Sequence, residues 1–113
     1  VLLETPLVSE KYRFGGTPDF YGIVDGSLML LDFKTGKEVY QEAFCQLAAY
    51  IRLLEELGYD VEYAKIIRVG KSADEGFEER AAGNLDKHWL IFKACQQIYE
   101  LQKEIRRQGK VKE

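Results

Sequence analysis

Residues 16–36 read GTPDFYGIVDGSLMLLDFKTG, and this stretch decides the fold. At its centre, Asp25-Gly26 is the strongest short-range signal for a two-residue β-hairpin, because a type I′ turn needs positive φ at both central residues. With that turn Val24 faces Ser27. Opposed residues then follow in pairs: Ile23 with Leu28, Tyr21 with Leu30, Asp19 with Asp32. Directly opposed residues of an antiparallel pair have Cβ atoms roughly 5 Å apart, and like charges there destabilise the sheet. Two carboxylates placed face to face need a neutralising partner, and a divalent cation is the natural one. Lys34 follows Asp32 by two residues and so projects from the same face of the strand. A one-residue slip would send Asp19 and Asp32 to opposite faces, so the register carries the site.

Working outward, Glu38–Leu57 reads as a helix, with Tyr40, Phe44, Leu47, Ala48, Ile51, Leu54 and Leu57 recurring at three- and four-residue steps. Gly58 suits its C-terminal stop. Gln46 and Tyr50 are four apart and project together. Periodicity alone leaves open whether they serve a site or are a surface Gln beside a core Tyr. The hairpin face made by Tyr21, Ile23, Leu28 and Leu30 is the surface on which this helix is expected to pack.

The rest of the chain is simpler. Val1–Val8 reads as a strand, with Pro6 marking an irregular or edge position. Phe14–Val24 and Ser27–Lys34 are the hairpin strands. Val61–Val69 runs apolar enough for a buried strand, Lys71–Gly76 is a polar loop, and Phe77–Ala81 fits a short edge strand. A second helix is expected over Leu85–Arg107, with Asn84 as N-cap and an apolar stripe of Ile91, Ala94, Cys95, Ile98, Leu101 and Ile105. The order β-β-β-α-β-(β)-α gives an α/β fold with a mixed sheet flanked by helices, in one domain over 1–113.

Composition bounds the function. The apolar fraction of 46% and charged fraction of 31% describe an ordinary globular protein, and no apolar run reaches the roughly 20 residues of a membrane span. The net charge of −3 does not advertise a nucleic-acid binder. The acids, however, cluster away from the motifs, at Glu55, Glu56, Asp60 and Glu62 and at Asp74, Glu75, Glu78 and Glu79, whereas Lys11, Arg13, Lys34 and Lys37 lie near them. The two cysteines, Cys45 and Cys95, sit in helical patterns and read as buried free thiols of a reducing, cytoplasmic setting. No zinc spacing, P-loop or Gly-x-Ser-x-Gly is present.

Taken together, Pro18-Asp19, Asp32-Phe33-Lys34 and Gln46-x-x-x-Tyr50 resemble the PD-(D/E)XK nuclease superfamily, in particular its branch of RecB-like and phage-type exonucleases. The resemblance runs from about Glu4 to Val69. An acid-x-Lys triplet alone carries little weight; its order with Gly-Thr-Pro-Asp, the hairpin register and the Gln-x-x-x-Tyr carries much more. It implies a restriction-endonuclease-like core and a Mg²⁺- or Mn²⁺-dependent DNA nuclease, expected to be an exonuclease of DNA repair, recombination or phage DNA metabolism. On that reading Asp19 and Asp32 hold the metal, the Phe33 carbonyl adds a ligand, and Glu4 is a further candidate. Lys34 orients the attacking water, Gln46 touches the metal site or its water, and Tyr50, Thr35 and Lys37 contact the DNA. Several relatives in the branch carry an iron–sulfur cluster on four cysteines, which two cysteines cannot hold. The N-terminal helix usual in the family is missing, which suggests a fragment or minimal version with a larger parent chain or a partner subunit. The alternative is a non-catalytic nucleic-acid-binding or scaffold module with the same fold; its acidic net charge favours it and its opposed carboxylates disfavour it.

Overall fold

The computed structural model describes residues 2–111. Its centre is the expected hairpin, β4 (Phe20–Val24) and β5 (Ser27–Thr35), to be placed among three earlier short strands. Asp25 and Gly26 have φ values of 50° and 81°, the two positive angles a type I′ turn requires. Val24 pairs with Ser27, Gly22 with Met29 and Phe20 with Leu31, the register read from the sequence.

Around it, β1 (Leu2–Leu3), β6 (Tyr63–Val69) and β7 (Phe77–Ala81) complete a mixed five-stranded sheet in the order β1-β4-β5-β6-β7. Only the β5–β6 pairing is parallel. Parallel neighbours need a long crossover, and α1 (Gln41–Glu56) supplies it. The protein is thus an α/β fold with a mixed sheet and two helices, the second being α2 (Asp86–Val111).

Two strand assignments differ from the sequence reading. Val1–Val8 is not one strand: β1 ends at Leu3, and β2 (Leu7–Ser9) joins β3 (Phe14–Gly16) in a separate two-stranded sheet. Glu4 turns the chain with a φ of 44°, and Pro6 has no N–H for a ladder. The segment Phe14–Val24 likewise breaks at Thr17-Pro18-Asp19, because Pro18 lacks a donor and restricts the residue before it.

The core lies between the sheet and α1. Leu30 and Ile66 of the sheet and Leu47, Leu53 and Leu54 of α1 are fully buried, joined by Tyr21, Phe44 and Tyr50. Ile23 departs from expectation: it is 68% exposed, lying next to the turn, whereas Leu28 is half-buried against the core. Helix α1 ends in a Schellman arrangement, with Gly58 (φ 90°) donating to Glu55 O and Tyr59 to Leu54 O.

Helix α2 begins as read, with the Asn84 side chain accepting from Asp86 N at 2.8 Å. It runs past Arg107 to Val111. Trp89 is buried against Ala48 and Ala49 of α1, with Phe92 and Leu85 beside it. The apolar stripe is not buried: Ile91, Ala94, Cys95, Ile98, Leu101 and Ile105 are all exposed. Nor are the thiols hidden, since Cys45 is half-buried and Cys95 exposed. The sole histidine, His88, faces Phe44 and meets Gln41 Oε1 at 2.8 Å.

Candidate metal and phosphate site

Asp19 and Asp32 stand where the β4–β5 ladder ends. Phe20–Leu31 is its last pair, so the next opposed positions are Asp19 and Asp32, with Asp19 just outside the strand. Pairs alternate in a ladder, and residues 24/27, 22/29 and 20/31 are the hydrogen-bonded type beside a two-residue turn. The aspartates therefore fall at the closer, non-hydrogen-bonded spacing. Asp19 turns its Oδ2 to accept from Phe33 N at 2.8 Å. A strand residue directs its N–H and C=O to the same edge, so the Phe33 carbonyl also faces the Asp19 side, where β4 has already ended.

Asp32 is 3% exposed, and its buried Oδ2 is ion-paired with Lys34, whose Nζ lies 3.0 Å away. The same ammonium donates to Gln46 Oε1 at 2.7 Å. Burial pushes the Asp32 carboxyl up to about 6; the Asp19 carboxyl adds to the shift and Lys34 opposes it. Burial pushes the Tyr50 phenol up to about 12, with Asp32 and Asp19 as further causes, so the phenol also feels both acids.

The arrangement suits a hard divalent cation. Two carboxylates stand opposite each other with a single ammonium, Lys34, beside them, and a backbone carbonyl faces the same edge. Mg²⁺ is commonly held by one or two carboxylates and keeps its remaining positions for water and phosphate oxygens. Among the described residues no group of three His, Cys, Asp or Glu side chains gathers here or elsewhere. Glu4 therefore does not join the aspartates: its backbone N–H donates to Asp19 O at 3.1 Å and the residue is exposed. Thr35 and Lys37 are exposed at the end of β5 and in the loop beyond it.

Two supporting residues have roles that the sequence did not give, Gly16 of the Gly-Thr-Pro-Asp run and Arg68. Gly16 lets Tyr50 approach, because a Cβ there would lie 2.6 Å from Tyr50 Cε1. Arg68 is buried and donates to Gly36 O at 2.8 Å, Glu75 O at 3.1 Å and Glu78 Oε1 at 3.0 Å. It pins the loop that follows Lys34 and Thr35. An arginine between Ile66-Ile67 and Val69 of a core strand was the available signal, since a buried cation needs partners. Beside Lys34 and Gln46 opens a cavity of about 530 Å³, walled by Val39, Ala43, Ile91 and Phe92 and rimmed by Glu38 and Glu42. Comparison with protein-family models gives no match for this chain, and comparison with curated proteins gives none either.

Proposed function

We propose that this chain is a Mg²⁺- or Mn²⁺-dependent deoxyribonuclease domain with a restriction-endonuclease-like core, an exonuclease of the RecB-like and phage type that works inside the cell. One observation carries the reading: Asp32, almost fully buried, stands opposite a second carboxylate, Asp19, and beside a lysine that pairs with its Oδ2 and is held by Gln46. A structural ion pair has no need of the second carboxylate. Asp19, Asp32 and the Phe33 carbonyl would hold the cation, which when bound polarises a phosphoryl oxygen and acidifies a bound water.

The chain's own residues account for the rest. Gln46 accepts from the Lys34 ammonium and fixes it beside Asp32, so that a remaining N–H can meet a phosphoryl oxygen or the attacking water. The water oxygen forms a new bond to phosphorus, the bond to one sugar oxygen breaks, and the leaving oxygen takes up a proton. The Tyr50 phenol stays protonated at neutral pH and is available as a donor.

A second reading, a non-catalytic DNA-binding or scaffold module, draws support from the net charge of −3. The two are separated by incubating the chain with single- and double-stranded DNA, with Mg²⁺, with Mn²⁺ and with chelator, alongside Lys34→Ala. Divalent-dependent degradation lost in Lys34→Ala supports the nuclease. Binding without degradation in any metal supports the module.

A further inference from the structure

Helix α2 is apolar on two faces. Leu85, Trp89 and Phe92 pack toward α1. At 100° per residue the opposite side carries Ile91, Ile98 and Ile105 at a seven-residue step, with Ala94 and Leu101 between them. Ile91, Ile98, Leu101 and Ile105 are 51%, 56%, 50% and 66% exposed. A repeat of seven with Ile and Leu alternating at three- and four-residue steps is the seam that pairs one helix with another. None of its members is charged. The charges of this half of α2, Lys93, Glu100, Lys103 and Arg107, lie off the seam, and Glu104 and Arg106 flank it on either side.

We propose that this seam is a homodimer interface in which α2 packs antiparallel against α2 of a second copy, about a two-fold axis at Ile98. A two-fold contact must be self-complementary, and the seam meets that condition: Ile105 of each copy falls on Ile91 of the other, and Ile98 on Ile98. Charge selects the antiparallel orientation. The C-terminal half of α2 is basic through Lys103, Arg106 and Arg107, whereas the cavity beside Ile91 is rimmed by Glu38 and Glu42. Antiparallel helices bring like flanks together, so Arg106 of the second copy lies level with Leu90 on the side where Cys95 meets that cavity, within reach of Glu42. A parallel pair would leave Arg106 level with its own counterpart on the opposite flank, at the end of α2 far from Glu38 and Glu42. The seam spans little more than two heptads, short for a free-standing coiled coil, and the arginine–carboxylate contacts at both ends extend it. This inference is independent of the nuclease reading.

Sedimentation velocity of the full chain from micromolar to millimolar concentration tests it. A reversible monomer–dimer equilibrium is expected. Ile98→Glu sets two carboxylates on the axis and should leave a monomer with an unchanged circular-dichroism melt, because position 98 is exposed in the monomer. Arg106→Glu should raise the dimer dissociation constant at least tenfold, and adding Glu42→Arg to it should restore most of the loss. A chain that stays monomeric throughout, a dimer that survives Ile98→Glu, or a charge swap that restores nothing would overturn the proposal.

Discussion

Gly16 and Tyr50 compete for one volume: a single carbon added to the glycine would sit 2.6 Å from Tyr50 Cε1. The glycine is therefore set by the tyrosine, and the two belong to elements that meet only in the folded state. Gly16→Ala should cost about 1–3 kcal/mol, the usual penalty for overpacking. The same substitution in a Tyr50→Ala background should cost much less, and a double-mutant cycle on urea midpoints measures the difference. Equal costs in both backgrounds would show that the two residues do not conflict.

Asp32 makes stability and metal binding depend on pH in opposite directions. Its carboxyl is held near 6 against an ordinary 3.8, chiefly by burial, so the folded state binds this proton more tightly than the unfolded state. The contribution of Asp32 to metal-free stability should be greatest in acid, fall by roughly 2–3 kcal/mol as pH rises from 3.8 to 6, and then level off. Asp32→Asn should remove that fall. Mg²⁺ competes with the proton, so the rise in melting temperature it causes should grow through pH 6. At a hundredfold excess over its dissociation constant the cation should add about 2.7 kcal/mol. Thermal melts of wild type, Asp19→Asn and Asp32→Asn across pH 4–8 check each part. A wild-type melt indifferent to divalent cations would remove the metal from the proposal.

Lys34 and Gln46 should separate activity from stability. Their hydrogen bond is part-buried, and its loss in Gln46→Ala should cost about 1 kcal/mol. Cleavage should fall by at least a hundredfold if Gln46 fixes the ammonium in its working position. A loss of activity no larger than the loss of stability would assign Gln46 to the fold.

Arg68 should behave as a structural cation. Removing it leaves two backbone carbonyls and the partly exposed Glu78 without their donor, so Arg68→Ala should cost about 1–3 kcal/mol. Arg68→Lys keeps the charge but cannot reach all three acceptors as a planar fork does, and should recover only part of the loss. Urea denaturation of both variants measures this.

The hairpin was legible because Asp25-Gly26 fixes a register by itself, and every pair through Phe20–Leu31 follows by counting. From it the meeting of Asp19, Asp32 and Lys34 could be derived, and the helical step from Gln46 to Tyr50 placed both on one side of α1. What could not be read depends on distant parts of the chain. Pro6 announced an irregular strand, but not that Leu7–Ser9 would leave the main sheet to join Phe14–Gly16. The Ile91–Ile105 stripe has the period of a buried helix face. Its exposure follows from α2 presenting its Trp89 side to α1 instead, a choice between two apolar faces that periodicity does not decide. Ile23 shows the limit of alternation, because a correct face does not bury a residue that lies next to the turn.

The difference between the two pairings of β5 has a consequence for the order in which the chain folds. Its antiparallel bond to β4 closes across two residues, whereas its parallel bond to β6 must wait for the whole of α1. Local hairpins form in microseconds, and pairings across long connections come later. Asp19 and Asp32 are thus brought together while Gln46 and Tyr50 are still elsewhere, with Lys34 the one counter-charge already at hand. The route to the native state crosses a stage at which two carboxylates repel in the open. Refolding should therefore be faster in the presence of Mg²⁺ or in mild acid, and in Asp19→Asn, while the unfolding rate changes far less.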